Sequence, residues 1–120
     1  MDLEVLSRRV LAEIDNYRYE FPDGMIGGPW SPTHVDSHLR QMRSALVAPY
    51  WAEITRRDSL EQIHADQPLV HPCAVVADDG KGTLLAFDPQ ANEFLLAESR
   101  GDKLVSFGVT GDAVGCFMAR

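Results

Sequence analysis

The chain has 120 residues, of which 45% are hydrophobic and 24% are charged, a composition typical of a single globular domain rather than of a disordered segment. Its 11 basic and 18 acidic residues give a net charge of −7, and the bases are scattered along the chain. This charge disfavours nucleic acid and anionic membranes as partners and favours a basic protein.

The N-terminal segment MDLEVLSRRVLAEID has early acidic residues and lacks the basic start and continuous apolar stretch of a signal peptide. No run approaches the roughly 18 apolar residues of a membrane-spanning helix. Cys73 and Cys116 lie in apolar runs without a C-x-x-C pair, which predicts buried, free thiols in a reducing compartment. We therefore expect a soluble, cytoplasmic protein.

Two amphipathic helices are predicted in the first half of the chain. The first should end near Tyr19, and its apolar residues recur at helical spacing: Leu3, Leu6, Val10, Ile14 and Tyr17. An irregular loop is expected over residues 22–32, after which Ser31 as N-cap and Pro32 at the first helical position begin the second helix. The apolar stripe of that helix is formed by Val35, Leu39, Met42 and Leu46, and Pro49 is expected to stop or kink it.

Short strands are predicted for the remainder of the chain. The stretch YWAEITRRD favours a strand over a last helical turn, and five apolar runs follow at 69–77, 83–87, 94–97, 104–109 and 113–119. The separators between these runs are too short to hold crossover helices, so neighbouring strands should be antiparallel. The predicted fold is a single α+β domain over residues 1–120, with two N-terminal amphipathic helices packed on a five- to six-stranded antiparallel meander sheet.

Five acidic residues lie around these runs, and a structural role is predicted for each. Asp78, Asp79 and Asp88 fall in turns, where an Asp side chain accepts hydrogen bonds from nearby backbone N–H groups. Glu93 and Glu98 bracket a strand and keep its ends solvated.

Several of the predicted strands are apolar on both faces. In the run 83–87, Leu85 and Phe87 point to one side and Leu84 and Ala86 to the other. Two helices cover one face, so a second chain, a ligand or curling of the sheet must cover the other. A symmetric homodimer is the favoured expectation, and the alternative is a monomeric curled sheet, with glycines at Gly108, Gly111 and Gly115.

The best candidate metal ligands are His34, His38, His71 and Cys73. His34 and His38 are four residues apart and share a helical face, and His71 and Cys73 share a strand face. However, the first pair lies about 100° from the centre of the apolar stripe, so both should face water. We therefore expect no metal and no other cofactor.

Three aromatic residues, Trp30, Tyr50 and Trp51, are the candidates for binding a small apolar ligand or a partner's side chain, although large aromatics at loop-to-element junctions more often pack in the core. No catalytic residue is assigned, because the chain lacks a G-x-S-x-G motif and a buried thiol is a poor nucleophile. Enzymatic activity is left open, with a non-catalytic function favoured.

The stretch VVADDGKGTLLAFDPQANEFLLA resembles the strand–turn–strand region of SMI1/KNR4-type proteins, and APYWAEI is similar to the proline–tyrosine segment of that family. The leucine–glycine–leucine–proline motif of the family is missing, and no functional residue is carried over. The resemblance implies a bacterial accessory or immunity-type protein.

The function predicted from the sequence is that of a small, acidic, cytoplasmic, non-catalytic module that binds a protein. The alternative is a small-molecule-binding protein or a small enzyme, with its pocket between the second helix and the sheet.

Overall fold

A computed structural model describes residues 1–20 and 28–120 and shows an α+β fold with an antiparallel meander sheet. Helix α1 spans Leu3–Asp15 and α2 spans Pro32–Ala45, and a short helix α3 (Leu60–Ile63) follows the first strand. The strands are β1 (Leu46–Thr55), β2 (Val70–Asp78), β3 (Thr83–Asp88), β4 (Glu93–Arg100) and β5 (Lys103–Gly111), and α4 (Ala113–Met118) completes the described elements. The part of the predicted loop at residues 22–27 lies outside the described residues.

The predicted start of the second helix is confirmed, whereas both helix ends differ from the prediction. The Ser31 hydroxyl accepts a hydrogen bond from the backbone N–H of His34 at 3.1 Å, and Pro32 is the first helical residue. Helix α1 ends at Asp15 rather than near Tyr19, and α2 ends at Ala45, so Pro49 lies inside β1. A register shift between β1 and β2 spans Pro49, as expected where a residue without an N–H lies in a strand.

The acidic turns form as predicted. Asp78 accepts a hydrogen bond from the N–H of Gly80 at 2.8 Å, and Asp79 accepts one from the N–H of Lys81 at 2.8 Å. One oxygen of Asp88 likewise accepts from the N–H of Gln90 at 2.9 Å. These bonds fix the short connections between β2, β3 and β4.

The prediction of a strand at 113–119 is wrong, because this run forms the helix α4. Its buried residues have helical spacing: Ala113, Val114, Cys116 and Phe117. Asp112 caps the helix by accepting a hydrogen bond from the N–H of Gly115 at 2.9 Å. A short, continuously apolar run does not distinguish a buried strand from a buried helix. A C-terminal helix therefore packs on the same face of the sheet as the two predicted N-terminal helices.

The sheet closes on itself as a barrel with the strand order β1-β2-β3-β4-β5. Consecutive strands are antiparallel, and β1 and β5 are joined in parallel by only two residue pairs, Ile54 with Leu104 and Thr55 with Val105. Gly108 and Gly111 adopt positive φ angles of 98° and 140° in β5, whereas Gly115 lies in α4 and takes no part in the sheet. None of the described helices has the length and apolar character to cross a membrane.

The two faces of the sheet bury separate apolar clusters. Leu85 and Phe87 pack against α1, α2 and α4, and Leu84 and Ala86 lie inside the barrel with Ile54. The predicted alternation of these side chains is therefore confirmed. Both faces are covered within one chain, so the exposed apolar face from which the homodimer was argued is not there. The homodimer stays a prediction, but an uncovered apolar face of the sheet no longer supports it.

Candidate functional site

A buried ionic cluster closes one end of the barrel. At its centre is Arg56, whose side chain is only 4% exposed and donates hydrogen bonds to three carboxylates. Its Nη1 lies 2.5 Å from Oδ2 of Asp88, its Nη2 lies 2.5 Å from Oε2 of Glu93, and its Nε lies 2.7 Å from Oδ2 of Asp58. Nδ1 of His71 lies 2.6 Å from the same oxygen of Asp88.

The strand geometry explains why these residues meet. Side chains alternate between the two faces of a strand, so Arg56 follows Ile54, and Asp88 follows Ala86, on the side that faces the barrel interior. His71 precedes Cys73 on that side of β2 by the same alternation, and Glu93 is paired with Asp88 across β3 and β4. The cluster is therefore the last layer of the barrel interior, and that layer is ionic rather than apolar.

Asp58 extends this cluster across the joint between β1 and β5. Its Oδ1 accepts a hydrogen bond from the N–H of Gly108 at 2.6 Å, and its Oδ2 accepts one from the hydroxyl of Ser106 at 2.7 Å. The Ser106 oxygen in turn accepts from the N–H of Arg57 at 2.8 Å. These bonds hold the chain after β1 against β5, where only two residue pairs join the strands.

The electrostatics of the cluster favour the charged forms of Arg56 and Asp88. Burial lowers the pKa of the Arg56 guanidinium, but its hydrogen bonds to Asp58, Glu93 and Asp88 outweigh burial and raise the pKa above its usual value. Burial raises the pKa of Asp88, but hydrogen bonds from His71 and Arg56 outweigh it, so the pKa is lowered. Asp88 is therefore a permanent buried anion near neutral pH.

A His–Asp pair is also the arrangement that orients a general base in many hydrolases. Here, neither His71 nor Asp88 lines any of five surface cavities that the described residues form. The nearest thiol, Cys73, is fully buried, and burial raises the pKa of both Cys73 and Cys116 to about 12. The chemistry of the cluster therefore fits a structural ion network better than a reaction centre.

The predicted histidine pair belongs to an aromatic cluster around Trp30. The Trp30 ring stacks on His38 at 4.8 Å between centroids and on Tyr19 at 5.8 Å, and it meets His34 edge-on at 4.5 Å. His34 is exposed as predicted, but His38 is half-buried. Burial, His34 and Arg120 lower the pKa of His38, so its ring favours the neutral form.

The four candidate metal ligands are divided between these places. His34 and His38 lie on α2, with ring centroids 4.7 Å apart, whereas His71 and Cys73 lie on β2, where His71 is bonded to Asp88. Among the described residues, no group of three or more His, Cys, Asp or Glu side chains is arranged to hold a metal ion.

Tyr50 and Trp51, the other predicted binding residues, lie on β1 and are each 45% exposed. No described aromatic pair joins either of them to Trp30, so the structure does not bring the three together as one site. Tyr50 pairs with Val75, which faces the barrel interior, and Trp51 pairs with Ala74, which faces the helices. The two rings therefore extend from opposite faces of the same strand.

The strand that carries them has an unpaired edge. Across the described residues, β1 pairs with β2 on one side, but only Ile54 and Thr55 pair with β5 on the other. Residues 46–53 thus present one row of backbone N–H and C=O groups that no described strand uses; we call this row the free β1 edge. An open groove of about 410 Å³ lies beside it at the mouth of the barrel, lined by Tyr50, Asp78 and Leu84 among others.

A second groove lies between α2 and the turn that connects β2 to β3. Its volume is about 510 Å³, and Phe117 and Ser37 are among its lining residues. Arg120 stacks over the Phe117 ring at 4.0 Å and bridges to Oδ2 of Asp79 at 3.4 Å. The alternative prediction from the sequence, a ligand pocket between the second helix and the sheet, concerns this side of α2 and stays a prediction.

Comparisons with known proteins found no match: no family model, no curated protein and no solved structure matches this chain. The resemblance of residues 75–97 to SMI1/KNR4-type proteins therefore has no family match behind it. The function must be argued from the geometry alone.

Proposed function

We propose that this chain is a non-catalytic protein-binding module that holds an extended segment of a basic partner along the free β1 edge. The observation that carries the proposal is the coincidence of an unpaired strand edge with two large aromatic side chains, Tyr50 and Trp51, each 45% exposed. Strand addition of this kind gains affinity from backbone hydrogen bonds and specificity from alternate side chains.

The positions of the two rings suit such a segment. A peptide strand laid beside residues 46–53 has side chains that alternate above and below the sheet. Those on one side would meet Tyr50 at the barrel mouth, and those on the other would meet Trp51 on the outer face. Aromatic rings supply a large contact area and lose little conformational entropy when they bind.

Charge supports a basic partner. The chain carries −7 overall, and two acids lie close to the free β1 edge: Glu53 is exposed on β1 itself, and Asp78 shares a groove with Tyr50. The same charge opposes parallel pairing of this edge with a second acidic copy, and it attracts a lysine- or arginine-rich strand. We place the module in the cytoplasm, where its two free, buried thiols stay reduced. An accessory or immunity-type role is one form that such a module takes.

A synthetic peptide of about eight alternating valine and lysine residues, long enough to span the free β1 edge, tests the proposal. We expect saturable binding and slowed amide hydrogen exchange in residues 46–53. The same peptide with alternate backbone nitrogens methylated should not bind, because it cannot complete the strand hydrogen bonds.

Trp51→Ala should weaken binding at least about tenfold, as expected for an aromatic anchor. Trp30→Ala is the matched control, because Trp30 is the only other tryptophan and stacks on Tyr19 and His38 instead. Equal binding of the methylated peptide, or equal loss of affinity in the two tryptophan variants, would show that the free β1 edge is not the site.

A second candidate function, small-molecule binding, is favoured by the groove of about 510 Å³ between α2 and the β2–β3 turn. Its volume falls in the range of ligand pockets, and Arg40, Lys81 and Gln41 offer polar contacts around the Phe117 ring. A fragment screen followed by amide chemical shifts distinguishes the two functions. Shifts confined to α2 and the turn around Gly80 support the groove, whereas shifts confined to β1 support the edge.

A further inference from the structure

A pocket rich in positive charge lies on the outside of the barrel, beside the ionic cluster. Its volume is about 310 Å³, and it lies between the segment around α3 and the start of β5. Three of its lining residues are cationic, Arg57, Arg100 and Lys103, and only one, Asp66, is acidic. We call it the basic pocket. It is unusual because only 11 of the 120 residues are basic and the chain as a whole carries −7.

The cations of the basic pocket are poorly neutralised. Among the described residues, neither Arg57 nor Lys103 forms a salt bridge. Arg100 places Nε and Nη2 at 2.9 and 2.8 Å from a single oxygen of Glu98, in a pair that is largely exposed and so contributes little. The adjacent Arg56, by contrast, bonds to three carboxylates.

The wall that carries Arg57 is held in place by the ionic cluster. The N–H of Arg57 donates to the hydroxyl of Ser106 at 2.8 Å, and Ser106 is itself buried. The N–H of Asp58 donates to Oε1 of Gln62 at 2.7 Å, which fixes α3 at the opposite wall. The backbone around Arg57 is therefore held in place, so little of it has to reorganise when an anion binds beside Arg57.

We propose that the basic pocket binds a small organic oxyanion, a carboxylate or a phosphate, with an apolar part. Arg57 and Lys103 would contact the anionic oxygens, and the Thr55 side chain offers a hydroxyl at the same pocket. The apolar part would lie against Ile63 and Val105, which also line it. The inference is independent of the peptide-binding proposal, since it uses none of the residues of the free β1 edge.

The test is a titration of the ¹⁵N-labelled full chain with inorganic phosphate and, separately, with succinate, at constant ionic strength maintained with sodium chloride. We expect saturable amide shifts at residues 55–57 and 100–105 with at least one anion, at a dissociation constant of about 1 mM. Saturation by phosphate alone assigns a phosphoryl ligand, by succinate alone a carboxylate, and by both a general oxyanion site.

Arg57→Gln and Lys103→Gln should each raise the dissociation constant at least about fivefold. Arg8→Gln is the control, because Arg8 is an exposed cation on α1 that does not line this pocket. Lys103 is exposed, so its replacement should leave the fold intact, as checked by circular dichroism. The proposal is overturned if neither anion gives saturable shifts, or if Arg8→Gln weakens binding as much as the two pocket variants do.

Discussion

Replacement of Arg56 by Met tests whether the ionic cluster holds the end of the barrel together. The substitution keeps a long side chain and removes the cation that donates to Asp58, Asp88 and Glu93. Asp88 is fully buried and Asp58 is nearly so, whereas Glu93 is about one-third exposed. Two carboxylates would therefore be left in a poorly hydrated site, where Asp88 would keep its contact with His71.

The expected loss follows from this burial. Removing one partner of a buried ion pair typically lowers the free energy of unfolding by about 3–5 kcal/mol, because the other charge stays buried. Arg43→Met is the matched control, since Arg43 pairs with Asp15 on the surface, where the two side chains are 47% and 58% exposed. An exposed pair of this kind contributes about 0–1 kcal/mol.

Urea unfolding followed by circular dichroism measures both variants. A loss of stability in Arg56→Met no larger than that in Arg43→Met would show that the ionic cluster does not hold this end of the barrel together. The pH dependence of the free energy of unfolding gives a second readout, because it should differ between the native chain and Arg56→Met. In the native chain the pKa of Asp88 is lowered below 3.8, so its contribution to stability is present above that pH and is lost as pH falls through the folded-state pKa. In Arg56→Met, burial without the guanidinium raises that pKa, so the cost of the substitution should shrink as pH falls.

Two further predictions concern the thiols and the oligomeric state. A thiol reagent should label neither Cys73 nor Cys116 in the native chain and both after denaturation. Both thiols are buried, and burial raises their pKa to about 12. Rapid labelling of either thiol in the native chain would contradict the structure. Leu85→Asp should unfold the chain, because Leu85 lies in the core. It should lower the free energy of unfolding by more than the roughly 2–5 kcal/mol of a Leu→Ala change, since it also buries a charge. Leu60→Asp is the control and should leave the chain folded, because Leu60 is 73% exposed. Light scattering would instead support the homodimer through the sheet face if the unmodified chain is a dimer and the Leu85→Asp variant is a folded monomer.

Local signals in the sequence were enough for much of the fold. The start of α2 follows from Ser31 and Pro32, and the hairpins follow from turn residues such as Asp78 and Gly80. The strand predicted at 113–119 was wrong because a continuously apolar run has neither the periodicity of a strand nor that of a helix. The sequence did not decide whether the sheet closes into a barrel. Closure depends on the pairing of strands about 50 residues apart in sequence, such as that of Ile54 with Leu104.

The ionic cluster was missed although a signal for it is present. Arg56, Asp88 and Glu93 each continue the inward-facing alternation of an apolar strand, and His71 does so before Cys73. Asp88 was correctly predicted to accept turn hydrogen bonds with one oxygen, but its other oxygen binds Arg56 and His71. Alternation alone does not predict such a cluster, because a polar residue at the end of a strand is usually solvated. Only the closed barrel places four such ends together.

The cluster and the free β1 edge have a common origin in the way the barrel closes. Strands β1 and β5 meet over only two residue pairs, which leaves one edge of residues 46–53 unpaired at the open mouth. So short a joint is reinforced by side chains: Asp58 binds Ser106 and Gly108 of β5, while Arg56 reaches carboxylates of β3 and β4. The ionic cluster thus stabilises one end of the barrel and allows the other end to keep an unpaired strand edge. An edge that is held rigidly yet left unpaired is suited to receive a strand from another protein.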